Sequence, residues 1–426
     1  MSEGSLKSSS IVPYGERGIG RLSSDLARRG LEIVRRAEEA RWFQDRGNAQ
    51  KNLVYQTAGL VSKPALRWGS GLNGRKANNE SFKARLLATP GALLVQVLRW
   101  PFPGYVFRSG LYALDPATGK QTWRIEDATD FWWRTSLVAM RESIYYVDSD
   151  CDLVTIDIAR GKRTQTISTR KDYHRIMCAD GDMLFVQARS PDAATSGLTE
   201  YAICAVNPVL GEEIWRAARE LGRSSGLDDV WASNHRVLGL WVADRAEYVV
   251  ALDRATGEES WKCSIEHVSK EYGCEYGWVD GTTLWLACSE LCSPEPWEYI
   301  VIDLERGTQA RTRRGFESGP RFWLHSTVCG VVYGGRSGQR STPMFAQDAV
   351  TDQELWTLDV DIDIQCVIAD HLFGYEPKPG TRIYAIERLR GVVQWELDAD
   401  RPVECMTICD GVLYIVTTDG TLHAYA

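Results

Sequence analysis

One phrase recurs along this chain: an Asp-like residue, three residues, a glycine, three residues and usually a tryptophan, each time after a short apolar run. The clearest copies are Leu111-Tyr112-Ala113-Leu114-Asp115 with Gly119 and Trp123, and Val249-Val250-Ala251-Leu252-Asp253 with Gly257 and Trp261. Weaker copies centre on Asp157 with Gly161, Asn207 with Gly211 and Trp215, Asp303 with Gly307, Asp348 with Trp356, and Glu387 with Gly391 and Trp395. From Asp115 the anchors are 42, 50, 46, 50, 45 and 39 residues apart. A period of that length suits units of four short strands.

The units read internally as strands. In the second, 136–140, 143–148, 153–157 and 164–167 are short runs rich in Val, Ile, Tyr and Thr, cut by turn-forming residues. An aspartate four residues before a glycine suits a hairpin, since the carboxylate accepts turn N–H groups and glycine takes the positive φ. The tryptophan that follows opens an outer strand, where an indole can cover the gap to the next unit. These positions are scaffold.

The chain ends count the units. Leu422-His423-Ala424-Tyr425-Ala426 repeats the strand before Asp115 and then the sequence stops, while Lys63-Pro64-Ala65-Leu66-Arg67-Trp68 resembles Gly119-Lys120-Gln121-Thr122-Trp123. A strand around Trp68 therefore completes the last unit and closes a ring, which removes a sheet edge. The expectation is an all-β, eight-bladed β-propeller of four-stranded blades over 63–426, with a short N-terminal extension over 1–62.

These repeats resemble those of the pyrroloquinoline-quinone-type β-propellers, the family of quinoprotein alcohol dehydrogenases and of a lipoprotein scaffold of bacterial outer-membrane assembly. The resemblance covers residues 63–426 and implies the fold; members range from enzymes to scaffolds, so activity must be argued from sites. The quinone enzymes carry an adjacent Cys-Cys pair, and this chain has none, nor a Cys-x-x-Cys-His for haem. No calcium-binding Glu and Asn set or catalytic aspartate maps onto a motif. Quinone-dependent oxidation is not expected, and no cofactor is assigned.

Metal ligation is likewise not expected, since Cys288/Cys292 and Cys405/Cys409 lack zinc-knuckle spacing and have no histidine nearby in sequence. No phosphate loop or Gly-x-Ser-x-Gly nucleophile motif occurs. A net charge of −8 argues against nucleic acid as the partner. The start lacks a secretion signal, no apolar run of membrane-spanning length occurs, and the 11 cysteines are an odd count, several within strands. A cytoplasmic protein is the expectation.

Residues 1–60 hold 10 Lys and Arg against 7 Asp and Glu. Leu22, Leu26, Ile33, Ala37 and Ala40 recur at helical spacing, so a helix is expected over about 23–46, capped by Ser23 or Ser24 and ended by Gly47. It either packs on the ring or binds a partner.

A second regularity lies where each outer strand passes to the next inner strand. Aromatic and charged residues gather there: Trp132, Trp133 and Arg134; Asp172, Tyr173, His174 and Arg175; Asp229 and Trp231. Farther along come Glu275, Tyr276 and Trp278; Arg321, Trp323 and His325; and Asp363. These connections converge at one mouth of the channel, where the side chains either plug it or form a binding funnel. In the funnel reading Trp132, Trp133, Arg134, Tyr173, Arg175, Asp229, Trp231, Tyr276, Trp278, Arg321 and Trp323 contact a ligand. His174 or His325 would then act as general base beside Asp172, Glu275 or Asp363.

Three functions follow: a non-catalytic platform holding a protein partner by funnel or rim, an enzyme or small-ligand binder in the funnel, and an immunity or antitoxin-like protective partner. The platform is preferred. Two segments break the period and are candidate functional loops, 189–200 and 289–297.

Overall fold

The computed structural model describes Trp42–Gln44, Leu60 and, with interruptions, residues 62–426. The longer interruptions are 73–79, 102–107, 126–136, 168–171, 190–197, 268–271, 291–297, 315–321 and 337–342. The described residues form eight antiparallel sheets and no helix. Each sheet is a blade, and in all but the last the four blade strands lie in chain order, for example β15 (Gly226–Ser233), β16 (Arg236–Ala243), β17 (Ala246–Asp253) and β18 (Glu259–Ser264) in blade 4.

The repeated phrase does in each blade what its chemistry dictates. Asp253 Oδ1 accepts the N–H groups of Ala255 and Thr256, both at 2.9 Å, and Asp115, Asp303 and Asn207 bind their turns the same way. A register shift then sets the tryptophan directly opposite an alanine: Ala113–Trp123, Ala205–Trp215, Ala251–Trp261, Ala346–Trp356 and Ala385–Trp395. The small partner leaves room for the indole to lean towards the next blade. There Nε1 donates to a turn carbonyl, as Trp215 does to Arg254 O at 2.8 Å and Trp356 to Arg388 O at 2.9 Å.

The motif glycine answers that indole. Gly257 has φ +74°, and a Cβ placed on it would lie 2.7 Å from the ring of Trp215; Gly119, Gly161, Gly307 and Gly391 meet Trp68, Trp123, Trp261 and Trp356 equally closely. In blade 6 the motif ends in Asp352, a non-glycine at φ 62°, and there the preceding blade carries Arg311 at the tryptophan position. The glycine is thus required twice over, by the turn and by the neighbouring ring.

No single core exists. Eight clusters of buried apolar side chains each fill one junction between neighbouring blades, such as Phe185, Ile203, Trp215, Leu227, Trp241 and Val250 between blades 3 and 4. Each blade is sandwiched by two others, so stability is built from nearest-neighbour contacts around a ring.

The ring closes as the sequence indicates. β2 (Leu66–Gly71) is the outer strand of the last blade, paired with β33 (Thr421–Tyr425), and Ala65 and Ala426 exchange two backbone hydrogen bonds of 3.0 Å. Trp68 again faces an alanine, Ala424. Leu60 supplies the turn carbonyl to Trp395 Nε1 at 3.2 Å, standing where other blades use the residue after the motif aspartate.

The expected helix over 23–46 lies outside the described residues except for Trp42–Gln44, and these are extended. They form β1, which pairs with β7 (Val138–Met140), the inner strand of blade 2, making that sheet five-stranded. β1 also lies against β3 (Glu80–Thr89) and β11 (Tyr173–Asp180), the inner strands of the flanking blades. The N-terminal extension therefore reaches the axial side of the ring.

Candidate functional site

The inner strands β11, β15, β19 (Tyr272–Asp280), β23 (Phe322–Val328) and β27 (Asp363–Ile368) all begin on the same face. Asp172, just before β11, is buried, and its two carboxylate oxygens accept Arg216 Nη1 at 2.7 Å and Nη2 at 3.2 Å. Arg216 also binds Glu213, which accepts a hydrogen bond from the Tyr173 hydroxyl at 2.9 Å. Burial would raise the Glu213 carboxyl, but the Arg216 and Tyr173 hydrogen bonds outweigh it and hold it below the usual range. This network stiffens the wall between blades 2 and 3. It leaves Asp172 committed to Arg216 rather than to His174, which is exposed.

Arg175 is also used structurally. Nε donates to Gln187 Oε1 at 2.7 Å and Nη2 to Asp228 O at 2.6 Å, while Gln187 Nε2 donates to Leu227 O at 2.8 Å. Blade 3 thereby grips the first residues of blade 4. Asp229, half-buried, accepts the N–H of Val230 at 2.9 Å.

Trp231 is fully buried between blades 4 and 5 and donates to Gly277 O at 2.9 Å; Trp278 is buried and stacks on Trp285, centroids 6.4 Å apart. Tyr173, Trp231 and Trp278 thus spend their faces on blade packing, not on the channel expected from their sequence position. For Trp231 and Trp278 the reason is a register shift earlier in the strand, between Leu227 and Asp229 and between Cys274 and Tyr276. One extra residue turns the following side chains to the other face.

Asp363 heads β27, half-buried and opposite Tyr375, whose hydroxyl is pushed up by burial and by the Asp363 charge. Glu275, Tyr276, Trp323 and His325 lie at strand positions whose backbone alone is described. Trp132, Trp133, Arg134 and Arg321 fall outside the described residues, as do the tips of both period-breaking loops, 190–197 and 291–297.

A different cluster, which the sequence reading passed over, gathers on this face between blades 4 and 5. Glu247 near the start of β17, His267 after β18, Cys274 in β19 and Cys288 in β20 (Thr283–Glu290) meet there. His267 Nε2 and Glu247 Oε2 are 2.9 Å apart, and both Glu247 oxygens accept the Cys274 N–H at 3.1 Å. Cys274 and Cys288 are directly opposite on paired strands, with sulfurs 2.8 Å apart. Burial pushes the Cys274 thiol up. Cys288 is just as buried, but hydrogen bonds from Cys274 and His267 more than offset that and hold its thiol below the ordinary value. No pair among the four is closer than seven residues in sequence, so spacing rules could not reveal them.

The fold defines a class: an eight-bladed β-propeller of four-stranded blades. Residues 108–275 match the family model described as outer membrane protein assembly factor BamB. No curated protein sequence matches. Among solved structures, the chain resembles the quinohemoprotein alcohol dehydrogenase from Comamonas testosteroni, with TM-score 0.57 and 12% identity over 94% of this chain and 84% of that one. It also resembles a europium-containing methanol dehydrogenase (TM-score 0.56, 10% identity, 93% of this chain and 100% of that one). A third is the computationally designed Ika8 protein (TM-score 0.51, 13% identity, 83% and 99%). At these identities the likeness is one of fold. Among the described residues, no helix is long and apolar enough to cross a membrane.

Proposed function

We propose that the protein is a non-catalytic binding platform of the cytoplasm that holds a protein partner through the rim or funnel face of its propeller. One observation carries the reading. In the turn between β13 (Leu198–Asn207) and β14 (Glu212–Gly222), Val209 is 59% and Leu210 63% exposed, with Ile214 at 44% on the outer strand beside them. Equivalent turn positions hold Ala117-Thr118, Ala255-Thr256 and Glu305-Arg306 in blades 1, 4 and 5, and Val350-Thr351, with Val350 alone exposed at 82%, in blade 6. Three large aliphatic side chains on one rigid blade edge are unfavourable in water and suit burial against another protein. The match of residues 108–275 to an assembly-factor family supports the same reading. The ten free cysteines among the described residues support a reducing compartment.

The test is affinity capture from the native source with the wild type and with a Val209→Asp/Leu210→Asp variant, read by quantitative mass spectrometry. The expected result is one stoichiometric partner, lost by the variant at unchanged thermal stability. A partner kept by the variant, or a small molecule retained by the wild type with no polypeptide, overturns it.

A further inference from the structure

We propose that Glu247, His267, Cys274 and Cys288 form a closed binding site for a borderline-soft divalent cation, zinc above all, that fastens blade 4 to blade 5. The donor set is two sulfurs, one imidazole nitrogen and one carboxylate oxygen, a combination of the ligands that structural zinc takes four at a time. Donor atoms of Glu247, His267 and Cys274 all lie within 4.8 Å of one another, and the Cys288 sulfur is 2.8 Å from that of Cys274. A tetrahedron with zinc–sulfur bonds of about 2.3 Å separates two sulfurs by about 3.8 Å. The pair must therefore open by about 1 Å, shared between two side chains.

The framework around these donors is rigid. The cysteines sit on adjacent strands in register, so one pairing fixes both sulfurs on the same face. The Cys274 N–H orients the Glu247 carboxylate, and Ile265 N–H binds Glu247 O at 2.9 Å, holding the segment that carries His267. Around them pack Trp231, Ile265, Leu286 and Ile300. A carboxylate, an imidazole and two thiols in that apolar wall carry a large desolvation penalty, and a dication relieves it by replacing their protons. Four protein donors leave no open position, so the site is structural rather than hydrolytic.

Two other uses fit the same residues, a Cys274–Cys288 disulfide or a plain Glu247–His267 latch, and the experiment separates them. Full-length protein purified without a metal-affinity tag is assayed for zinc per chain, then stripped and titrated with Co(II). Expected are about one zinc per chain and a thiolate-to-cobalt charge-transfer band with tetrahedral visible bands. In Cys288→Ser and His267→Gln, metal content falls at least about tenfold and the charge-transfer band weakens or vanishes. If those variants do not fold, the wild-type cobalt spectrum still decides, since its intensity reports the thiolate ligands. Metal below one-tenth per chain with no cobalt band, or peptide mapping that finds Cys274 joined to Cys288 by a disulfide, overturns the proposal.

Discussion

Replacing Gly257 by alanine tests why the motif glycine is there. Its φ of +74° alone costs an alanine about 1–2 kcal/mol. Gly411, at φ +71° with nothing within 4 Å of an added Cβ, isolates that component. At Gly257 the Cβ would also lie 2.7 Å from Trp215 Cδ2 and Cε3, so the indole must retreat by about 1 Å. That adds an overpacking penalty of about 1–3 kcal/mol, plus about 1 kcal/mol if the 2.8 Å bond from Trp215 Nε1 to Arg254 O breaks. Gly257→Ala should therefore destabilise by about 2–6 kcal/mol and Gly411→Ala by about 1–2 kcal/mol. Guanidinium unfolding followed by tryptophan fluorescence measures both, and in a Trp215→Ala background the two penalties should converge. Equal losses in the wild-type background, or no convergence, would refute the claim that the neighbouring indole selects the glycine.

Asp352→Gly should stabilise by up to about 1 kcal/mol, read as a shift in the same midpoint, because it removes a positive φ from a side-chain-bearing residue. Arg216→Met leaves Asp172 and Glu213 without their shared cation in the blade 2–3 wall, and a loss of about 3–5 kcal/mol at pH 7 is expected in the same unfolding assay. The turn hydrogen bonds from Thr256 and Ala255 hold the Asp253 carboxyl below its usual range, so its contribution is present above the unfolded pKa and lost as pH falls through the folded one. Asp253→Asn keeps an acceptor, as Asn207 does naturally, and should flatten the acid limb of a stability–pH curve, the difference from the wild type shrinking as pH falls through the folded pKa.

The blade count and ring closure were legible because each motif residue is dictated within its own turn or by the adjacent indole. The alanine opposite each tryptophan was on the page too, at a fixed distance before it. The mouth was harder. Whether Trp231 or Trp278 faces the channel or the next blade depends on a one-residue register shift at the strand start, and no residue type announces that shift. β1 has three residues, too few for any periodicity, and its place on the axial edge comes from tertiary pairing alone. The Glu247–His267–Cys274–Cys288 cluster was hidden because its members belong to two blades and meet only when those blades stack.

The composite last blade also sets an order of events during synthesis. β2 leaves the ribosome well before its partner β33 is made. Over the 361 positions from Ala65 to Ala426 (426 − 65), elongation at about 5–20 residues per second takes about 20–70 s. For that interval β2 waits with an open edge while seven blades assemble behind it. The emergence of β33 then locks the whole ring at once.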